Sequence, residues 1–177
     1  VPGWGHLIAK LGGVVASPEN CSRLMQAGEH VLVYPGGARE VNRHKGEKHS
    51  LIWKQRTGFA RLAIQHGYDI IPVAALGADD AWDILIDNEQ IRNTRLWKGV
   101  ARLVPLDEMT RQGEGVPPLA RGLGLTALPR PQRLYFAFGQ RIRTRRHAGK
   151  AEDKEVQWAL RERVAAVIER QIKALQA

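Results

Sequence analysis

The sequence predicts an α/β fold with a mostly parallel central sheet and flanking helices, and three features carry that prediction. An apolar, β-branched run at His30–Tyr34 leads straight into a glycine turn. Leu51–His66 places Ile52, Phe59, Leu62 and Ala63 at helical spacing. A second apolar run follows at Ile70–Ala75. Strand, helix and strand in this order make a βαβ unit with a right-handed crossover. The unbroken apolarity of the first strand fits burial on both faces, as in a parallel sheet.

The other elements follow in chain order. Residues 1–16 are apolar and glycine-rich, and read as the tail of a helix plus a short strand at Gly13–Ala16. Ser17-Pro18 starts a helix, because serine supplies a capping oxygen and proline fits the first turn. That helix runs to about Ala27 and stops at Gly28. Asn42–His49 is polar and basic and reads as a loop. Gly67 ends the Leu51–His66 helix. Ala78–Asn93 carries Asp79, Asp80, Asp83, Asp87 and Glu89, and reads as a solvated loop with a short helix. Val100–Val104 and Leu134–Phe138 read as strands, separated by a Gly- and Pro-rich loop at Gly113–Pro131. Glu152–Leu175 is an amphipathic helix with Val156, Leu160, Val164, Val167, Ile168 and Leu175 on one side. No repeat or linker divides the chain, so the expectation is one layered domain over residues 1–177.

Composition narrows the function classes. At 44% hydrophobic and 25% charged, the chain has the makings of a packed core and excludes a disordered polymer. The net charge of +9 attracts polyanions: nucleic acid, anionic lipid or phosphorylated substrate. No helix-turn-helix, RRM, KH or zinc pattern accompanies that charge, so no nucleic acid is expected as a partner, although the basic run Arg141–Lys150 keeps it as a rival reading. The single cysteine, Cys21, excludes an intrachain disulfide and reads as packing. Five of the eleven aromatics are tryptophan, a residue at home at wet–apolar boundaries. Trp53 and Trp97 each adjoin a lysine and are candidates for docking at a bilayer surface.

The candidate site begins at Pro35-Gly36-Gly37-Ala38-Arg39-Glu40. Two glycines at a strand end let a ligand approach the backbone, since no Cβ intervenes. Arg39 adds a planar, permanently charged fork suited to phosphate or carboxylate. A nucleotide P-loop is excluded, because no Gly-Lys-Ser/Thr follows. A second block runs Arg56-x-Gly58-Phe59-x-Arg61-x-Ala63-x3-Gly67-x2-Ile70-Ile71-Pro72-Val73. Gly58 and Ala63 offer a small helix side that can lie close to a sheet. Pro72 donates no ladder hydrogen bond, which predicts a bulge or an edge. His44 and His49 lie among Lys45 and Lys48 and read as a solvated basic loop, with no metal expected.

The second block is similar to the signature of the type 2 branch of the diacylglycerol acyltransferases. The Tyr34–Glu40 run resembles that of related bacterial and plastid acyltransferases, including plant phytyl ester synthases, and parallels the Pro-Glu-Gly-Thr-Arg block of lysophosphatidate acyltransferases. Leu128-Pro129-Arg130-Pro131-x2-Leu134-Tyr135-Phe136-x-Phe138-Gly139 resembles the family's closing strand, so the likeness covers most of residues 10–142. It implies a glycerol-3-phosphate acyltransferase-like fold. It also implies an O-acyltransferase moving a fatty acyl group from acyl-CoA or acyl carrier protein to a lipid alcohol or glycerolipid hydroxyl, with no further cofactor, at the cytoplasmic face of a membrane, either peripheral or anchored through a missing N-terminal segment. Pro35, Gly36, Gly37, Arg39 and Glu40 would hold the acceptor, with Arg56, Gly58 and Pro72 in secondary positions. The family's general base is a histidine in a His-x4-Asp block, and no histidine here has aspartate five residues on; His147 with Glu152 is the nearest imitation. The resemblance places that block before Val1, so the chain reads as an N-terminally truncated domain, inactive as it stands. Gly36 stands where lysophosphatidate acyltransferases have Glu, which favours a neutral acceptor alcohol. A non-catalytic lipid-binding module is the other rival reading.

Overall fold

The computed structural model describes residues 4–94, 118–124, 126 and 128–177. The strand expected at Val100–Val104, residues 113–117, 125 and 127 of the Gly113–Pro131 loop, and Trp97 lie outside the described residues. Two compact units emerge: Val1–Tyr34, Thr57–Ile70 and Arg141–Glu162 form the first, and Pro35–Arg56, Ile71–Gln140 and Arg163–Ala177 the second.

The first unit is helical. After α1 (Trp4–Lys10), α2 (Pro18–Gln26) begins as its sequence dictates, with the Ser17 hydroxyl accepting from the Asn20 N–H at 3.2 Å. Gly28, at φ +82°, lets the chain leave the helix, and the Glu29 N–H closes the last turn onto the Leu24 carbonyl at 3.0 Å. Helix α4 (Gly58–His66) buries Ala60, Leu62, Ala63 and Ile64 and ends at Gly67, again in the left-handed region. It starts seven residues later than its periodicity predicts, because a turn at Trp53–Arg56 with Lys54 at φ +49° precedes it. Gly58 faces open space, so the small buried positions of this helix are Ala60 and Ala63. The two helices are joined by the Tyr68 hydroxyl donating to the Met25 carbonyl at 2.8 Å and by Ser22 Oγ 2.8 Å from His66 Nε2. Cys21 is half-buried beside them, and burial pushes its thiol up, the reverse of what activates a nucleophile.

Two fully buried polar side chains tie loops to these helices. Gln157, on the long helix α6 (Lys154–Gln176), accepts from the Thr57 hydroxyl at 2.8 Å and donates to the Ala151 carbonyl at 2.6 Å. The Thr144 hydroxyl donates to the Tyr68 carbonyl at 2.8 Å. Asp153 caps α6, accepting from the Glu155 and Val156 N–H groups. Leu160, Val164, Ile168 and Ile172 form its buried stripe at four-residue spacing; the last completes the set the sequence outlines.

The second unit holds α3 (Gly37–Val41), α5 (Asn88–Asn93) and, among the described residues, all four paired strands. β1 (Val73–Leu76) pairs with β4 (Tyr135–Phe138), Val73 opposite Phe138 and Leu76 opposite Tyr135. β2 (Asp83–Ile86) pairs with β3 (Leu119–Arg121), with an irregularity between Ile84 and Ile86. Both pairs are antiparallel. On the β1–β4 ribbon Ala74 is buried, whereas Ala75, Phe136 and Phe138 on the alternate positions are exposed. Pro72 is buried, and its carbonyl accepts the Gly139 N–H at 2.8 Å. Pairing therefore changes character at Pro72, where no N–H exists to continue the ladder.

The protein is mixed α/β as predicted, but the parallel sheet is corrected. Among the described residues every strand pair is antiparallel, and neither Gly13–Ala16 nor His30–Tyr34 enters a ladder. Val14, Val15, Leu32, Val33 and Tyr34 are exposed, so the βαβ crossover does not form among the described residues. An apolar β-branched run specifies a fit to a half-buried surface; its partner and direction come from tertiary contacts. Trp53 is 2% exposed, which removes it as a bilayer-docking side chain.

Thr144→Val keeps the shape and removes the donor to the Tyr68 carbonyl. It is expected to destabilise the protein by about 1–3 kcal/mol, read as a lowered urea midpoint with an unchanged m-value.

Candidate functional site

The Pro35–Glu40 block turns directly into the short helix α3. Gly37 sits at φ +55°, and a Cβ there would lie 3.3 Å from Arg56 Nη1. A Cβ on Gly36 would collide with the Glu40 side chain, which folds back over it. Both glycines are therefore required for this backbone path. Arg56 holds the path in place: Nη1 donates to the Pro35 carbonyl at 3.3 Å and also to the Gly36 carbonyl. From the other end, Glu40 Oε1 accepts the Ile52 N–H at 3.2 Å. The turn is thus pinned twice to the Leu51–Arg56 segment, which Trp53 anchors by burial.

Arg39 is held as well. Nη2 meets Glu47 Oε1 at 2.6 Å, and Nη1 donates to the Asn42 carbonyl at 3.3 Å. The Arg39 hydrogen bond, opposed by burial and aided by the His44 N–H at 2.7 Å, keeps the Glu47 carboxyl below its ordinary range. The fork read from sequence as aimed at a ligand is, in this structure, engaged by a carboxylate. An anionic or carbonyl ligand would have to share it with Glu47.

The structure thus brings Pro35, Gly36, Gly37, Arg39, Glu40 and Arg56 together in one unit. Pro72 belongs to the same unit but is buried in the ribbon, and Gly58 belongs to the other unit. His147 Nε2 accepts from Arg146 at 3.0 Å, and Glu152 pairs with Arg61 at 3.4 Å. Among the described residues no group of three His, Cys, Asp or Glu side chains is placed to hold a metal ion.

An acid–base clasp behind Arg39 goes beyond what the sequence reading extracts. The basic loop read as solvated is fastened to the acidic segment read as solvated. Arg43 Nε meets Asp79 Oδ1 at 3.2 Å, Lys48 Nζ meets Asp80 Oδ1 at 3.2 Å, the His49 N–H donates to Asp79 at 2.9 Å, and the Lys45 N–H donates to Asp87 at 2.7 Å. The signal was present as two oppositely charged runs, 43–49 and 79–89. Farther along, Arg130 grips Asp83 with both terminal nitrogens at 2.8 and 2.9 Å, and Arg121 stands 3.6 Å away. The Arg130 fork brings the Asp83 carboxyl down to about 2.

The family model described as "Diacylglycerol acyltransferase" matches residues 4–157. The chain belongs to that family. It is 32% identical over 155 residues to phytyl ester synthase 2, chloroplastic, of Arabidopsis thaliana, covering 82% of this chain and 21% of that protein. It is 29% identical over 161 residues to phytyl ester synthase 1 of the same plant, covering 86% and 22%. It is 36% identical over 62 residues to diacylglycerol O-acyltransferase 2 of Xenopus tropicalis, covering 35% and 17%. The chain thus spans about a fifth of the length of the plant relatives. No solved structure matches it.

The Asp83–Arg130 pair predicts a pH dependence. The folded Asp83 carboxyl titrates near 2, whereas an unperturbed aspartate titrates near about 3.9. Its contribution is therefore full above about pH 4 and is lost as pH falls toward about 2. Asp83→Asn should flatten the fall of the urea midpoint between those pH values while lowering the midpoint at pH 7.

Proposed function

We propose that this chain carries the acceptor-holding part of an O-acyltransferase that moves a fatty acyl group from acyl-CoA or acyl carrier protein to a lipid alcohol or glycerolipid hydroxyl. The observation that carries the reading is the Pro35–Glu40 block, fixed by Arg56 within a chain of the diacylglycerol acyltransferase family. A thioester carbonyl is attacked by an alcohol oxygen; the carbon–sulfur bond breaks, an ester forms and the thiol leaves. Holding the alcohol in line with that carbonyl converts a bimolecular encounter into an oriented one. Arg39 is the polar contact assigned to the acceptor, with Pro35, Gly36 and Gly37 forming the wall that lets it approach the backbone. Gly36 stands where the similar lysophosphatidate acyltransferases have Glu, and the names of the relatives point the same way, so the acceptor is read as a neutral alcohol such as a diacylglycerol or a long-chain alcohol.

The test uses the protein that carries this chain, assayed for acyl transfer with acyl-CoA and acyl carrier protein against diacylglycerol and long-chain alcohols. Arg39→Ala should raise the acceptor KM or lower turnover by roughly tenfold or more. Glu47→Gln breaks the same ion pair while keeping the guanidinium, and should cost far less. Equal losses in both variants would mean that Arg39 serves only the ion pair. Absence of transfer with every thioester and alcohol pair would end the reading.

A peripheral site of action at the cytoplasmic face of a membrane belongs to the same proposal. Among the described residues no helix is long and apolar enough to cross a bilayer. Support comes from the net charge of +9 and from Phe136 and Phe138, 60% and 73% exposed. Flotation with phosphatidylserine-containing vesicles should carry the protein upward, less so at high salt and less so in Phe136→Ser/Phe138→Ser. Protein left in the bottom fraction at low salt would contradict it.

A further inference from the structure

The Pro35–Gly37 turn has a weakness written into its composition. Glycine has the widest backbone freedom of any residue, so two in succession leave the direction of Arg39 undetermined by local sterics. Something outside the block must set it. Arg56 lies about twenty residues downstream, and its guanidinium reaches two successive carbonyls, those of Pro35 and Gly36. With trans peptide bonds throughout the described residues, holding two consecutive carbonyls fixes two consecutive peptide planes. Those planes lead into α3, where Arg39 stands. Arg56 is itself placed at unusual cost. It closes a turn in which its N–H donates to the Trp53 carbonyl at 3.0 Å, Lys54 takes φ +49° and Trp53 is buried. A long side chain in the left-handed region persists only where its surroundings over-determine it.

We infer that Arg56 is a positioning residue for acyl transfer: it acts on the acceptor through the Pro35–Gly37 turn and Arg39, without itself touching either substrate. The inference rests on the acceptor-holding reading above. Its chemistry requires the guanidinium and not merely the charge. Both contacts leave one nitrogen, Nη1, which the rigid guanidinium plane holds at a set reach and angle, whereas an ammonium on a flexible stem is not held there.

Steady-state kinetics of the protein that carries this chain, with Arg56→Lys and Arg56→Ala, test it. Arg56→Lys should lower kcat/KM for the lipid alcohol by roughly tenfold, leave the KM of the acyl thioester unchanged and keep the melting midpoint of the parent. Added methylguanidinium should restore part of the acceptor kcat/KM in Arg56→Ala and do nothing for Arg39→Ala. Parent-like acceptor kinetics in Arg56→Lys would overturn the inference while leaving the acyltransferase reading intact. A loss shared equally by both substrates, with a lowered melting midpoint and no rescue, would overturn it by reducing Arg56 to a structural residue. Failure of the parent protein to transfer acyl groups would fall on the proposed function instead.

Discussion

A run of two glycines cannot hold a shape alone, and the candidate site of this protein is organised around the side chain that holds it. Arg56 binds the carbonyls of Pro35 and Gly36, and Glu40 returns the contact by accepting the Ile52 N–H. Gly37 then has to be glycine for conformation, and Gly36 has to be glycine because Glu40 occupies the space of a side chain. The same clamp explains why the helix read from periodicity begins only at Gly58. Residues Leu51–Arg56 are taken out of the helix to reach back to the block. Local helical preference is worth tenths of a kcal/mol per residue, less than about 1 kcal/mol per hydrogen bond, so the tertiary contacts decide.

Electrostatics extends the clamp outward. Arg39, Arg43, Lys48 and His49 come from one segment, and their carboxylate partners Asp79 and Asp80 come from another, with Glu47 closing the loop on itself. Several of these groups are partly exposed, so each pair contributes little alone. Together they fasten the loop that follows Arg39. The net charge of +9 is not a uniform coating, because much of the basic loop is already matched by acid.

How much of this the sequence discloses depends on the range of the interaction. The Ser17 cap, the Gly28 and Gly67 stops and most of the buried stripe of α6 are local and were legible in the residues themselves. The Pro35–Glu40 block and Arg56 were legible as motifs, and the family they resemble is the family to which the chain belongs. Arg56 could be singled out but not given a task, since nothing in spacing alone says that it points at two carbonyls. Strand direction was out of reach: Ile70–Ala75 reads the same whether its neighbour runs parallel or antiparallel. The pairing with Tyr135–Phe138 is set by a connection some sixty residues long. The acid–base clasp failed for a different reason. Both runs were visible, but each charge run taken alone reads as a solvated face, and only their juxtaposition makes them partners.

The account stands on the claim that Pro35–Glu40 receives a lipid alcohol. Photolabelling of the protein that carries this chain with a diazirine-bearing diacylglycerol, followed by mapping of the modified peptide, tests that claim most directly. The account predicts label within Pro35–Glu40, competed away by unlabelled diacylglycerol and weakened in Arg39→Ala. Competable label confined to other segments, with Pro35–Glu40 unmodified, would contradict it.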